Sequence, residues 1–194
     1  MNGKEKTFVQ TRKGELEKEL KRVERWKLFF RVMRSTIGTL LVVAAVSVLV
    51  ATLWMPVLRI YGNSMTPTLD EGNIVISVKG MAFETGDLIS FYYGNRLLVK
   101  RVVAGPGDWV NMDQNGNVFI NGELIDEPYL TEKAYGEVSI DFPYQVPDSR
   151  YFVLGDHRAT SADSRSQIIG CVAEEQIVGK IVFRLWPFAD FGKL

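Results

Sequence analysis

Cleaving an acyl bond with a side chain needs a nucleophile, a base that activates it, and a donor for the developing oxyanion. Three segments carry such groups. In Gly62-Asn63-Ser64-Met65-Thr66-Pro67-Thr68 a conformationally permissive glycine precedes a serine, and a proline stiffens the following turn. Alone, that serine reads as a turn former. The run Leu97-Leu98-Val99-Lys100-Arg101-Val102-Val103 is apolar and β-rich but broken by two adjacent cations. On a strand these point to opposite faces, and their β-branched neighbours imply that at least one is partly buried. Burial disfavours a charged amine and lowers its pKa, which lets a lysine act as a base near neutral pH. The competing reading is an edge-strand lysine that deters aggregation.

The third segment, Gly155-Asp156-His157-Arg158-Ala159-Thr160-Ser161-Ala162-Asp163-Ser164-Arg165, follows an apolar run at 151–154. Its small polar and charged residues suit a hydrogen-bonded loop supporting a site, with Asp163 and Arg165 as an ion pair. A calcium loop does not fit, because the ligand spacing and terminal Glu are missing. His157 is the only histidine, so a Ser-His-Asp triad has to be weighed. Asp156 is its sequence neighbour, and adjacent residues at a strand end point apart. Asp156 is therefore a poor orienter, and His157 reads as peripheral. No Cys or His pair has metal-ligand spacing, and no glycine-rich phosphate loop follows a strand. The single Cys171 forbids an intramolecular disulfide and reads as buried packing.

These segments must be held by a scaffold, and its pattern changes along the chain. Residues 1–36 hold 11 Lys/Arg against 5 Asp/Glu, whereas the remaining 158 residues hold 12 against 18. Between the two regimes, residues 37–58 carry no charge, and their 22 residues would span roughly 33 Å as a helix, enough for a bilayer core. Lys27, Arg31 and Arg34 precede this run and only Arg59 follows directly, so the positive-inside rule puts the N-terminus in the cytoplasm. Three regions are expected: a basic juxtamembrane segment at 1–36, an uncleaved anchor at 37–58 and an extracytoplasmic domain at 59–194. Leu16, Leu20, Val23 and Phe30 recur at roughly helical spacing in the first of these.

Beyond residue 59, short β-rich runs are predicted at 74–78, 88–93, 97–103, 118–120, 151–154 and 177–185, separated by Gly/Asn/Asp/Pro turns. The expected fold is a compact, mainly β domain of antiparallel sheets preceded by one transmembrane helix. A hairpin is predicted around 115–121, and 126–150 reads as loop. The late aromatics Phe183, Trp186, Phe188 and Phe191 either complete the β core or reach interfacial lipid.

Taken together, the segments resemble the bacterial type I signal peptidases, Ser-Lys serine proteases. The resemblance covers the basic N-terminus, the anchor, the Ser-Met-x-Pro-Thr box at 64–68, Gly86-Asp87-Leu88-Ile89, the Lys-Arg strand and the Gly155–Arg165 loop. It continues through Val178-Gly179-Lys180 to Phe183-Arg184-Leu185-Trp186-Pro187. It implies Ser64 as nucleophile, Lys100 as its base, and Ser161 hydrogen-bonding and orienting Lys100. Asp163 and Arg165 would buttress the loop, and Gly62 with Ser64 would form the oxyanion region. It further implies an acyl-enzyme and neither metal nor cofactor. Substrates would be exported preproteins cut after small residues of Ala-X-Ala type. Leu58, Ile60, Met65, Leu69, Leu98 and Val99 would line the pockets. The implied setting is the bacterial plasma membrane, near the secretion translocon, with the lipid bilayer as partner and no nucleic acid. Two positions depart from the family pattern: Gly62, where some members carry Ser, and His157, where Asn is commonest. The region 109–148 is short, so this looks like the minimal form. The alternatives are a Ser-Lys peptidase with a dedicated client, or a catalytically silent assembly factor for surface appendages.

Overall fold

The computed structural model describes residues 3–194, with side chains from residue 20 onward except Val23. The expected apolar stripe therefore falls partly outside the described side chains, at Leu16 and Val23. The chain divides near residue 50 into a helical unit and a β unit.

One helix, α1 (Gly3–Trp54), takes in both the basic segment and most of the apolar run without a break. Glu, Lys, Arg and Leu dominate its first half, and all are good helix formers. Within it, Leu20–Trp54 is long and apolar enough to cross a membrane, and that stretch is not buried. The helix stops four residues short of the expected anchor end. Pro56 lacks the N–H that would continue the ladder and disfavours helical backbone at Met55. Met55 N–H still donates to Ala51 O, and the chain then enters a strand at Val57.

The β unit holds twelve strands: β1 (Val57–Arg59), β2 (Ile74–Val78), β3 (Leu88–Tyr93), β4 (Arg96–Ala104), β5 (Trp109–Met112), β6 (Val118–Ile120), β7 (Glu123–Leu124), β8 (Tyr144–Gln145), β9 (Arg150–Leu154), β10 (Val172–Ala173), β11 (Ile177–Trp186) and β12 (Gly192–Lys193). They form two antiparallel sheets. The larger runs β1-β2-β11-β3-β4-β9-β10, with β12 beside β11, and the smaller runs β7-β6-β5-β8. The predicted hairpin is the β5–β6 pair, with Met112 opposite Val118. The region read as loop at 126–150 contains β8, which pairs with β5.

Two features of the large sheet position the site. Strand β1 pairs only with β2 and so is an edge. Strand β4 pairs with β3 along Arg96–Arg101, but with β9 only from Arg101 onward. The first half of β4 therefore presents a second unpaired edge. Beneath these strands lies an apolar cluster of Ile60, Met65, Leu69, Val75, Leu88 and Ile181, with Leu58 and Val99 packed against it. The Gly86-Asp87 box locks β4 in register: Gly86 N–H donates to Val102 O at 2.8 Å, and Val102 N–H to Asp87 O at 2.9 Å. Asp87 also pairs with Lys180 at 2.7 Å, tying β11 to the same corner.

Candidate active site

Ser64 sits in a turn that follows β1. Buried Met65 and Leu69 anchor that turn in the core, and Leu69 N–H donates to Met65 O at 2.8 Å. Gly62 has φ +79°, a conformation L side chains rarely adopt, so glycine is what this approach to Ser64 favours. A Cβ at Gly62 would meet open space, so backbone conformation rather than crowding selects the residue.

Lys100 reaches this turn from β4. Its side chain is buried, and Nζ donates to Ser64 Oγ at 2.6 Å. Burial pushes the amine down to about 8, while Asp163 and Asp156 pull it up and Arg165 pushes it down. A substantial fraction of Lys100 is then neutral near neutral-to-basic pH. In that form the contact reverses, and the serine O–H donates to the amine. Ser64 and Lys100 thus meet the geometric requirement for a nucleophile and its base.

The 155–165 loop is braced by buried ions. Arg165 Nε donates to Asp163 Oδ1 at 2.8 Å and its Nη2 to Asp163 Oδ2 at 2.9 Å, with both side chains fully buried. Asp163 Oδ2 also accepts from Gly155 N–H at 3.1 Å, and Arg165 donates to Tyr135 O at 2.7 Å. Ser164, which sequence reasoning left without a role, accepts from Val153 N–H and donates to Gly170 O. His157 N–H donates to Ser64 O at 3.1 Å, joining the loop to the nucleophile turn.

The Ser161 hydroxyl does not make the hydrogen bond to Lys100 that the resemblance implies. Among the described residues, its buried Oγ has no hydrogen-bond partner. Its side chain packs against Gly155, where any Cβ would collide with Ser161 and with Ser64 O, while Lys100 Nζ is turned to Ser64. Gly155 is thus a close-approach glycine. The triad alternative fails on geometry: the His157 ring contacts Thr160 Oγ1 at 2.7 Å, and Arg101 grips Asp156 with two bonds of 2.9 and 2.6 Å. Cys171 is buried in the core beneath the small sheet, and burial raises its thiol to about 11, so it stays protonated.

A cleft of about 660 Å³ runs along the two open strand edges, and Ser64 and Lys100 both line it. Leu58, Ile60, Met65, Leu98 and Val99 line it as expected. Leu69 does not. It is fully buried in the apolar cluster that also holds Met65 and Ile60. Val57, Arg59, Tyr61, Arg96 and Leu97 also line the cleft and were missed. Tyr61 follows β1, and the only signal of the other four is position on an unpaired edge, which a strand's own sequence does not reveal. Of the late aromatics, Trp186, Phe188 and Phe191 are exposed, and Phe183 packs edge-on against Phe191. Completion of the core therefore does not account for Trp186, Phe188 and Phe191.

The sequence matches the family "Signal peptidase, peptidase S26" over residues 33–186. Signal peptidase IB of Staphylococcus aureus (strain N315) is 38% identical over 152 residues, covering 68% of this chain and 78% of that protein. Signal peptidase I of Bacillus caldolyticus is 39% identical over 163 residues, covering 74% and 87% respectively. A crystal structure of a signal peptidase I from Enterococcus faecalis V583 aligns with 52% of this chain and 97% of that one, at 27% identity and a TM-score of 0.45. The family match spans most of the chain and includes the Ser64 turn, β4 and the 155–165 loop, so the chain belongs to the signal peptidase family, peptidase S26, and is a serine peptidase.

Proposed function

We propose that this chain removes signal peptides from exported preproteins through a Ser64–Lys100 dyad while anchored in the plasma membrane by α1. The observation that carries this reading is the 2.6 Å contact between Lys100 Nζ and Ser64 Oγ in the lining of a two-edged cleft. The preprotein enters extended and adds as a strand between β1 and β4, with its backbone pairing to edges that otherwise lack partners. Small side chains just before the cut sit over Leu58, Ile60, Met65, Leu98 and Val99, and bulkier ones are rejected by overpacking.

Neutral Lys100 takes the proton from Ser64 Oγ as that oxygen attacks the scissile carbonyl. The Ser64 backbone N–H, at the end of the turn set by Gly62, faces the oxyanion. The Lys100 ammonium then protonates the leaving amine, and the mature protein departs with the acyl group held as an ester on Ser64. A water deprotonated by Lys100 cleaves the ester and restores the enzyme. Asp163, Arg165 and the Ser161–Gly155 contact fix the loop against which this happens.

Orientation follows from the charge asymmetry, with residues before the apolar run inside and the β unit outside. Sealed right-side-out membrane vesicles carrying the full chain test both parts together. A preprotein added outside should be cut, and sequencing of the new N-terminus should place the cut after an Ala-X-Ala pattern. Cutting only after the vesicles are opened would overturn the orientation, and no cutting in either state would overturn the activity.

A further inference from the structure

Two side chains from the stretch read as loop reach the far side of the dyad's support. Glu127 is buried and pairs with the buried Arg158. Tyr129 O–H donates to Glu127 Oε1 at 3.0 Å, and its ring lies 3.9 Å from the guanidinium carbon of Arg101. Arg101 follows Lys100 in β4. Besides gripping Asp156, it donates to Gly86 O at 2.7 Å and to Thr68 Oγ1 at 3.2 Å. Its edges are thus held by hydrogen bonds, while a face is covered by the tyrosine ring. Asp156 precedes His157, whose N–H holds Ser64 O.

We propose that Tyr129, fixed by Glu127, is a positioning residue for the candidate dyad: its ring covers Arg101 and keeps the Arg101–Asp156 pair closed and dry behind Lys100. The inference rests on the dyad reading above. It adds a part that no local sequence signal marks, because Tyr129 and its partner Arg101 are far apart in the chain and meet only in the fold.

The direction of the effect is fixed by the charges around Lys100. Asp163 and Asp156 raise its pKa, Arg165 lowers it, and burial lowers it most. Asp163 is matched by Arg165, Asp156 by Arg101, and Glu127 by Arg158. Without the ring, water reaches the Arg101–Asp156 pair, which weakens the burial that lowers Lys100. A looser Arg101 also leaves more of the Asp156 charge acting on the amine. Both changes raise the Lys100 pKa.

The test is an NMR titration of the lysine Cε and Nζ signals in the detergent-solubilised full chain, with Lys100 assigned by its loss in Lys100→Met. Tyr129→Leu should move the Lys100 midpoint upward by about half a pH unit or more, and Tyr129→Phe, which keeps the aromatic face, by less than about 0.2. The acid limb of the turnover profile should move by the same amounts. If Tyr129→Leu does not fold, Tyr129→Met is read in its place. An unmoved midpoint in the folded aliphatic variant, or an equal shift in Tyr129→Phe, overturns the proposal. The titration needs no turnover, so a wild-type chain that cuts nothing would count against the activity alone.

Discussion

Lys100→Arg should lower kcat/KM for a signal-peptide substrate by on the order of 10⁴-fold or more, as should Ser64→Ala. The arginine variant is the sharper probe because it keeps the positive charge. A guanidinium stays protonated throughout the accessible pH range and cannot accept the Ser64 proton. It is also larger than the ammonium it replaces, in a position where Lys100 is almost wholly enclosed. Residual activity near the wild-type level would show that Ser64 is activated by something else. Circular dichroism and thermal unfolding of the purified variants separate this from misfolding, because neither residue belongs to an apolar core cluster.

A second large effect concerns stability. Asp163→Ala should destabilise the β unit by about 3–5 kcal/mol, because it leaves the fully buried Arg165 guanidinium without its counter-charge. Against a total stability of about 5–15 kcal/mol, that is a major fraction. The contrasting pair is Arg184–Asp190, 3.8 Å apart with Asp190 58% exposed. Asp190→Ala should change stability by no more than about 1 kcal/mol. Urea unfolding of both variants in detergent reads the difference. A cost below about 1 kcal/mol for Asp163→Ala would mean that Arg165 finds water or another acceptor, and that the pair does not brace the loop.

Much of this could be read from the chain because each part has a local cause. Strands β2, β3 and β6 fall where β-branched and aromatic residues stand between turn residues. The Asp163–Arg165 pair is two residues apart and readable as such. Other parts have no local cause. Val57 and Leu58 are as apolar as the helix before them, so hydropathy could not separate strand β1 from the anchor. Only Pro56 marks the change. Strands β7, β8, β10 and β12 are two residues each and exist through their pairing partners rather than through any pattern. The resemblance implies Leu69 as a pocket residue, yet it is fully buried in the apolar cluster with Met65 and Ile60. Glu127 and Tyr129 lie among turn and loop residues, and the arginines they serve are supplied by distant segments. The Ser161 hydroxyl shows the converse: the residue lies in the loop the motif marks, beside Gly155, yet its Oγ has no hydrogen-bond partner among the described residues.

If a buried, neutral Lys100 activates Ser64, the pH dependence of kcat/KM reports that amine directly. The detergent-solubilised full chain and its His157→Asn variant are compared on one peptide substrate from about pH 5 to about pH 10. Burial holds the Lys100 amine at about 8, so the required base form is scarce below that pH and accumulates above it. Activity should therefore rise through about pH 8 along a single limb, with the same midpoint in His157→Asn. A limb at distinctly lower pH that disappears in His157→Asn would contradict the dyad and make His157 the base.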